Sequence, residues 1–272
     1  MSLKIVVLKE TCTDERRVAM VPTLVARFAK LRASIAIQSG AGAAAGFADT
    51  DYVGVEMVDD PRRLVETADI VLAVQAPPAT IIASMKPGAV VASFVYPQKH
   101  PDLLESMQSS RISVFALESV PRISRAQALD ALSSQSALAG YYAPLLGAVH
   151  LPRILPMMTT AVGSLRAAHV LVMGLGVAGL QALATAHRLG AITEGYDVRP
   201  ETKEQAQSVG AKFIDTDVDA RGEGGYAREL TTEEQARARE VLTRHIQQAD
   251  LLITTANVPG RIAPRLVSRT QI

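Results

Sequence analysis

The stretch Val170-Leu171-Val172-Met173-Gly174-Leu175-Gly176-Val177-Ala178-Gly179-Leu180 decides how the rest of this chain is read. Four apolar residues form a short buried-strand pattern, the glycines stand in G-x-G-x-x-G spacing, and a helical pattern follows as far as Leu189. In such a strand, turn and helix, the first glycine permits the tight turn. The second lets backbone approach a pyrophosphate with no Cβ in the way, and the third lets the helix pack closely on the strand. The helix start at Val177 and Ala178 offers free N–H groups and a partial positive charge to the anion.

Glycine spacing alone is a weak signal, but here it follows a strand, opens a helix and is closed by an acidic residue. That residue is Asp197, at the end of the next strand pattern, Ile192 to Val198, about 20 residues beyond the glycines. A carboxylate there accepts hydrogen bonds from the adenosine ribose and repels a 2′-phosphate, which favours NAD over NADP. Asp197 also suits the N-cap of the next helix, and the neighbouring Arg199 is of the type that accommodates a 2′-phosphate.

Working outward, Glu201 to Val209 and Glu233 to Gln248 read as helices, with strands at Lys212 to Ile214 and Leu251 to Thr255. The first half alternates in the same way. Ile5 to Leu8, Ser34 to Gln38, Asp69 to Gln75, Ala89 to Phe94 and Ile112 to Leu117 are near-continuous apolar runs suited to buried parallel strands. Helices beginning at Pro22 and Pro61 fit between them. Residues 122–158 suggest a linking helix or helix pair. The expected fold class is therefore α/β, with two Rossmann-like doubly wound parallel-sheet domains and a cofactor cleft between them. Residues 1–132 and 133–272 are the expected domains. A second glycine run, Gly40 to Gly46, has no acidic residue closing a unit behind it and reads as a structural loop.

Composition narrows the function. The 272 residues carry a formal net charge of +1 with no basic stripe, so nucleic acid is not an expected partner. The one cysteine, Cys12, permits no internal disulfide, which fits a reducing cytoplasm. The N-terminal apolar run is too short for a signal peptide, and the run from Ala137 to Met158 is interrupted by Pro144, His150, Pro152 and Arg153. Neither a metal-ligand cluster nor a nucleophile elbow is present. Alcohol or amine dehydrogenases need a base beside the reacting carbon, and the histidines at 100, 150, 169, 187 and 245 suit structural roles better. Hydride transfer between two nicotinamides needs no base.

The segment Val120 to Tyr141, VPRISRAQALDALSSQSALAGY, resembles the signature of the NAD(H)-binding component of proton-translocating NAD(P) transhydrogenases. Glu15 to Ala19, the glycine turn, Tyr196 to Pro200, Gly224 to Ala227 and Ile253 to Ala256 resemble family patterns in the same order. The resemblance implies a loop in which Arg122, Gln127 and Asp130, with Ser133 nearby, position the nicotinamide without acid–base chemistry. With the glycine turn, it implies cofactor contacts from Gly174, Gly176, Val177, Ala178, Gly179, Asp197, Val198, Arg199 and Thr255. Residues 215–232 match a lid loop carrying Gly225 and Tyr226. NAD(H) is the implied cofactor, with NADP(H) on a partner component, a membrane proton-channel component and a homodimer. The implied location is cytoplasmic, peripheral at the inner membrane through partner subunits.

Departures are Asn257, where the family is usually apolar, and Tyr142, where an arginine is common. The family pattern also continues past residue 272, so the second domain is expected to be incomplete here. Two rival readings are a non-catalytic NAD-binding module and an alanine-dehydrogenase-like enzyme. The latter family uses a lysine and a histidine where this chain has Ala73 to Pro77 and Phe94 to Pro97, with neither residue.

Overall fold

Five apolar runs of the first half, with one short further strand, assemble into one parallel sheet. They are β1 (Leu3–Val7), β2 (Ala33–Gln38), β3 (Glu56–Val58), β4 (Ile70–Gln75), β5 (Val90–Phe94) and β6 (Ser113–Ala116), in the order β3-β2-β1-β4-β5-β6. This computed structural model describes residues 3–121, 123–222, 227–257 and 263–272. The side-chain period of two sends Ile5 and Val7 to one hydrophobic core and Val6 to another, and likewise Ile35 and Ile37 against Ala36. In β1, β2, β4 and β5 both faces are largely buried, which is why these strands read as continuous apolar runs.

Crossover helices α1 (Pro22–Ala29), α2 (Pro61–Glu66), α3 (Ala79–Ile82) and α4 (Pro101–Ser109) connect the strands. Proline opens α1, α2 and α4, where its missing N–H costs nothing, and the Asp60 side chain caps α2 through the Arg62 N–H at 2.9 Å. The sequence reading leaves β3, α3 and α4 unassigned. Parallel strands β5 and β6 require a crossover, and α4 supplies it. The Gly40 to Gly46 loop is structural: the Gly40 N–H donates to Asp49, and a Cβ on Gly42 would stand 2.7 Å from the Tyr52 hydroxyl.

The chain divides into units Met1–Asp130 and Ala131–Ile272. The second begins with α5 (Ala131–His150), followed by an antiparallel hairpin of β7 (Met158–Thr160) and β8 (Gly163–Leu165). Then β9 (His169–Met173), α6 (Val177–Arg188), β10 (Ile192–Tyr196), α7 (Thr202–Ser208), β11 (Lys212–Phe213), α8 (Thr232–Gln248) and β12 (Leu251–Thr254) complete the α/β alternation. The sheet order is β11-β10-β9-β12, all parallel. The chain reverses direction across the sheet at β9, between β10 and β12. Among the described residues no helix is long and apolar enough to cross a membrane.

Within this unit α5 packs on α6 through Gly140, where an added Cβ would fall on the carbonyl of Ala178. Pro144 sits inside α5 and is buried, removing the N–H that would have bonded to the Gly140 carbonyl four residues back. Gly140→Val should therefore push α5 from α6 and lower unfolding free energy by about 1–3 kcal/mol, the usual range for overpacking. Urea unfolding of the second unit's signals checks this, and an unchanged midpoint would show that the two helices separate without cost.

Candidate dinucleotide site

The three glycines of the turn are required for three different physical reasons. Gly174 has φ +93°, in the left-handed region, and a Cβ there would stand 2.7 Å from the Ala256 N. Gly179 is buried, and its Cβ would fall on the Gly174 carbonyl and 2.9 Å from the Thr255 Oγ1. Gly176, the N-cap of α6, differs: its φ of −77° and ψ of −165° suit any residue, and among the described residues no atom beyond its chain neighbours lies within 4 Å of its ideal Cβ. The protein's own packing does not need that glycine. What its missing side chain preserves is open space at a helix N-terminus, where N–H groups lack intrahelical acceptors and a partial positive charge gathers.

Neighbouring strands pin the turn in place. The Gly174 N–H donates to the Tyr196 carbonyl at 2.8 Å, the Thr255 N–H to Met173 at 2.9 Å, and the Thr255 hydroxyl to the Gly174 carbonyl at 2.6 Å. Thr255 thus braces the turn from the end of β12. The turn occupies the switch point between β10 and β12, where open α/β sheets bind ligands.

Asp197 follows β10, and its side chain is only 7% exposed. It accepts from the Leu175 N–H at 2.7 Å, which ties it to the glycine turn, and from the Arg199 N–H at 3.0 Å. The Arg199 side chain adds Nε at 2.8 Å and Nη2 at 2.8 Å. Asp197 is not the N-cap of α7; that position is Glu201, which makes no capping bond through its side chain. The Val198 carbonyl accepts from Ala220, and that of Arg199 from both N and Oγ1 of Thr202. The structure therefore gathers Gly174, Gly176, Val177, Ala178, Gly179, Asp197, Val198, Arg199 and Thr255 around the ends of β9, β10 and β12 in one unit.

The remaining candidates lie elsewhere or out of view. Gln127 is exposed on a 3-10 helix, Ser124–Leu129, in which Ala126 is buried. The Asp130 N–H donates to the Gln127 carbonyl at 3.3 Å, and Ser133 stands in the first turn of α5. Arg122, Gly225 and Tyr226 lie outside the described residues. The described residues that flank 223–226 are tied down. The Ala220 N–H donates to Val198, and Arg228 pairs with Glu234, whose carboxyl it helps hold at about 2. Glu234 also closes a capping box with Thr231 at the start of α8.

The first unit has the full six-strand order, yet its switch point is occupied by its own side chains. Glu10, after β1, accepts from the Val74 N–H at 2.6 Å and the Gln75 N–H at 3.1 Å, and burial pushes its carboxyl up. Beside it the Arg17 guanidinium holds the Glu15 carboxyl at about 2, and Gln75 Nε2 donates to Glu15 at 2.8 Å. Gln75 ends β4 and Tyr96 follows β5, within the two stretches where the sequence reading looks for the lysine and histidine of an alanine-dehydrogenase-like enzyme. An amide and a phenol pushed up by burial offer no base near neutral pH. Sequence reasoning missed this filling, as it missed Gly140. The signal for Gly140 was available as small residues spaced along an apolar helix, whereas nothing local announces Glu10's long-range partners.

Fold and turn together define a protein of the dinucleotide-binding α/β class. Comparison with known sequences narrows this: the alanine dehydrogenase/PNT N-terminal domain matches residues 6–139 and the C-terminal domain residues 143–272. The chain is 40% identical to an NAD(P) transhydrogenase subunit alpha chain of Rickettsia prowazekii, over 99% of its own length and 73% of that relative's. It is 38% identical to NAD(P) transhydrogenase subunit alpha of Haemophilus influenzae, spanning 52% of that longer protein. The solved transhydrogenase of Sinorhizobium meliloti superposes with a TM-score of 0.87 at 38% identity, over 98% of this chain and 74% of that one. The chain belongs to the alanine dehydrogenase/PNT family, as a transhydrogenase α-subunit component.

The different roles of the glycines yield a paired test. Gly176→Val should fold with a stability within about 0.5 kcal/mol of the parent, as surface changes do, while losing NADH binding. Gly179→Ala should lose both, because its Cβ meets backbone. Thermal unfolding alongside NADH fluorescence titration checks the pair; normal binding by the Gly176 variant would remove the phosphate from this turn.

Proposed function

We propose that this chain is the NAD(H)-binding component of a transhydrogenase, in which hydride passes directly between NAD(H) here and NADP(H) on a partner component. The observation that carries the reading is the open Cβ position of Gly176 beside Asp197, in a chain 40% identical to a transhydrogenase subunit alpha chain. The turn at Gly174 to Gly179 receives the pyrophosphate, and Asp197 with Val198 and Arg199 receives the adenosine end. Arg122, Gln127, Asp130 and Ser133 position the nicotinamide, Gln127 and Ser133 through its carboxamide. Gly225 and Tyr226 close over it as part of a lid. When bound, the nicotinamide supplies the hydride chemistry, and ring-to-ring transfer releases no proton. The chain's residues therefore orient and exclude water without serving as acid or base.

The NADP(H)-binding component and a membrane component that couples the exchange to proton translocation are the proposed partners, which places the chain on the cytoplasmic side of the inner membrane. A homodimer completes the assembly. Supporting it, α5 leaves Leu138, Tyr141, Tyr142, Leu146 and Val149 exposed at helical spacing, an apolar stripe suited to the same stripe on a second copy. Replacing Tyr142 and Val149 by lysine should shift the species seen by light scattering from dimer to monomer; a mass unchanged by the substitutions would remove this stripe from the interface.

Gln127→Asn tests the positioning role. Losing one methylene withdraws the amide by about 1.5 Å, which breaks a hydrogen bond whose useful range ends near 3.2 Å. NADH binding should weaken by about 0.5–1.5 kcal/mol, whereas single-turnover hydride transfer to an NADP analogue in the reconstituted complex should slow on the order of 100-fold. Equal small losses in both quantities would count against positioning. Alanine-dependent NADH production, absent on this reading, would instead favour the amino-acid dehydrogenase.

A further inference from the structure

The hydrogen bonds around Asp197 have a consequence for which nucleotide enters. A carboxylate offers about four lone-pair sites. All are used here: Oδ2 takes the Leu175 N–H and Arg199 Nη2, and Oδ1 takes the Arg199 N–H and Nε, at 2.7 to 3.0 Å. Side-chain exposures of 7% for Asp197 and 17% for Arg199 leave little water to substitute for these donors. Two of these bonds come from backbone, one from the glycine turn and one from the segment that follows β10. The other two come from the guanidinium fork, the pair of donors that a ribose diol would replace, two O–H groups for two N–H groups.

Charge points the same way. A carboxylate bidentately paired with a guanidinium presents close to zero net charge, so repulsion of a 2′-phosphate by Asp197 is largely cancelled while the fork is in place. We infer that Arg199 is a specificity-determining latch: its guanidinium occupies the Asp197 positions that the ribose hydroxyls take, and it both competes with NAD(H) and blunts the rejection of NADP(H). This rests on the proposed assignment of Asp197 to the adenosine ribose. Hydroxyl donors displace the fork on binding, and the guanidinium then remains at the rim of the adenosine site.

The experiment is equilibrium titration of NADH and NADPH against the whole chain and its variants Arg199→Ala, Arg199→Lys and Asp197→Asn, with folding checked by circular dichroism. For Arg199→Ala, NADH should bind several-fold tighter and NADPH more weakly. The NADH-to-NADPH preference should rise on the order of tenfold, the factor that one charge-assisted hydrogen bond can produce. Arg199→Lys keeps the charge but loses the fork, so its NADH affinity should rise while its preference changes less than in the alanine variant. A structural role alone would weaken both nucleotides together and leave their ratio unmoved. That result, or a lowered preference in the alanine variant, overturns the latch. If Asp197→Asn leaves both affinities and their ratio unchanged, the ribose assignment itself fails; if it alters them while Arg199→Ala and Arg199→Lys do not, only the latch does.

Discussion

The constraint on which the second unit depends is the close approach of backbone to backbone at the end of β9. The Gly174 carbonyl lies under Gly179 with no room for a side chain and accepts the Thr255 hydroxyl at 2.6 Å. Because β9 is flanked by β10 and β12, the carbonyl is held from one side by α6 and from the other by β12. The first turn of α6 is thereby fixed in direction, and an anion site made of N–H groups is only as good as the direction of that turn. Pre-organisation of this kind keeps the cost of ordering the site in the folding of the sheet, before a nucleotide arrives.

The same close packing extends outward through α5. Gly140 brings α5 onto the Ala178 backbone, so the helix that opens the unit buttresses the first turn of α6. Helix α5 is apolar almost all round, and a helix of that composition needs partners on more than one face. One face has α6, and Gly147 lies against Leu251 of β12. Leu138, Tyr142 and Val149 on the exposed face account for the rest of its composition only if something covers them, which gives the dimer proposal its physical basis.

Much of the architecture was legible because parallel strands buried on two faces leave continuous apolar runs, and the runs ending at Leu8, Gln38, Gln75, Phe94 and Met173 all became strands, the first of them ending at Val7. The glycine turn was equally readable, since its spacing expresses local backbone geometry. Short elements were not: β3 has three residues and α3 four, too few to show a period. Strand pairs of the β7–β8 hairpin are exposed on both sides and leave no alternation to read. Interactions between residues distant in sequence were invisible as well. Glu10 finds its donors 64 and 65 residues away, at the end of β4, and no local pattern in either segment announces the other.

The Asp197 case shows why residue type at a motif position is an incomplete guide to electrostatics. From the sequence, an aspartate at the end of the second strand predicts rejection of a 2′-phosphate, and an arginine two residues on predicts its acceptance. In the structure the two are one bidentate pair, with backbone N–H groups from Leu175 and Arg199 completing the carboxylate's shell. Neither charge acts alone. Discrimination between the nucleotides then depends on exchange: whether two ribose hydroxyls replace a guanidinium fork at lower free energy than a phosphate recruits it. A 2′-phosphate both removes one hydroxyl donor and offers the fork another acceptor, so the selectivity of the site is set by the strength of the internal pair as much as by the acid that the motif names.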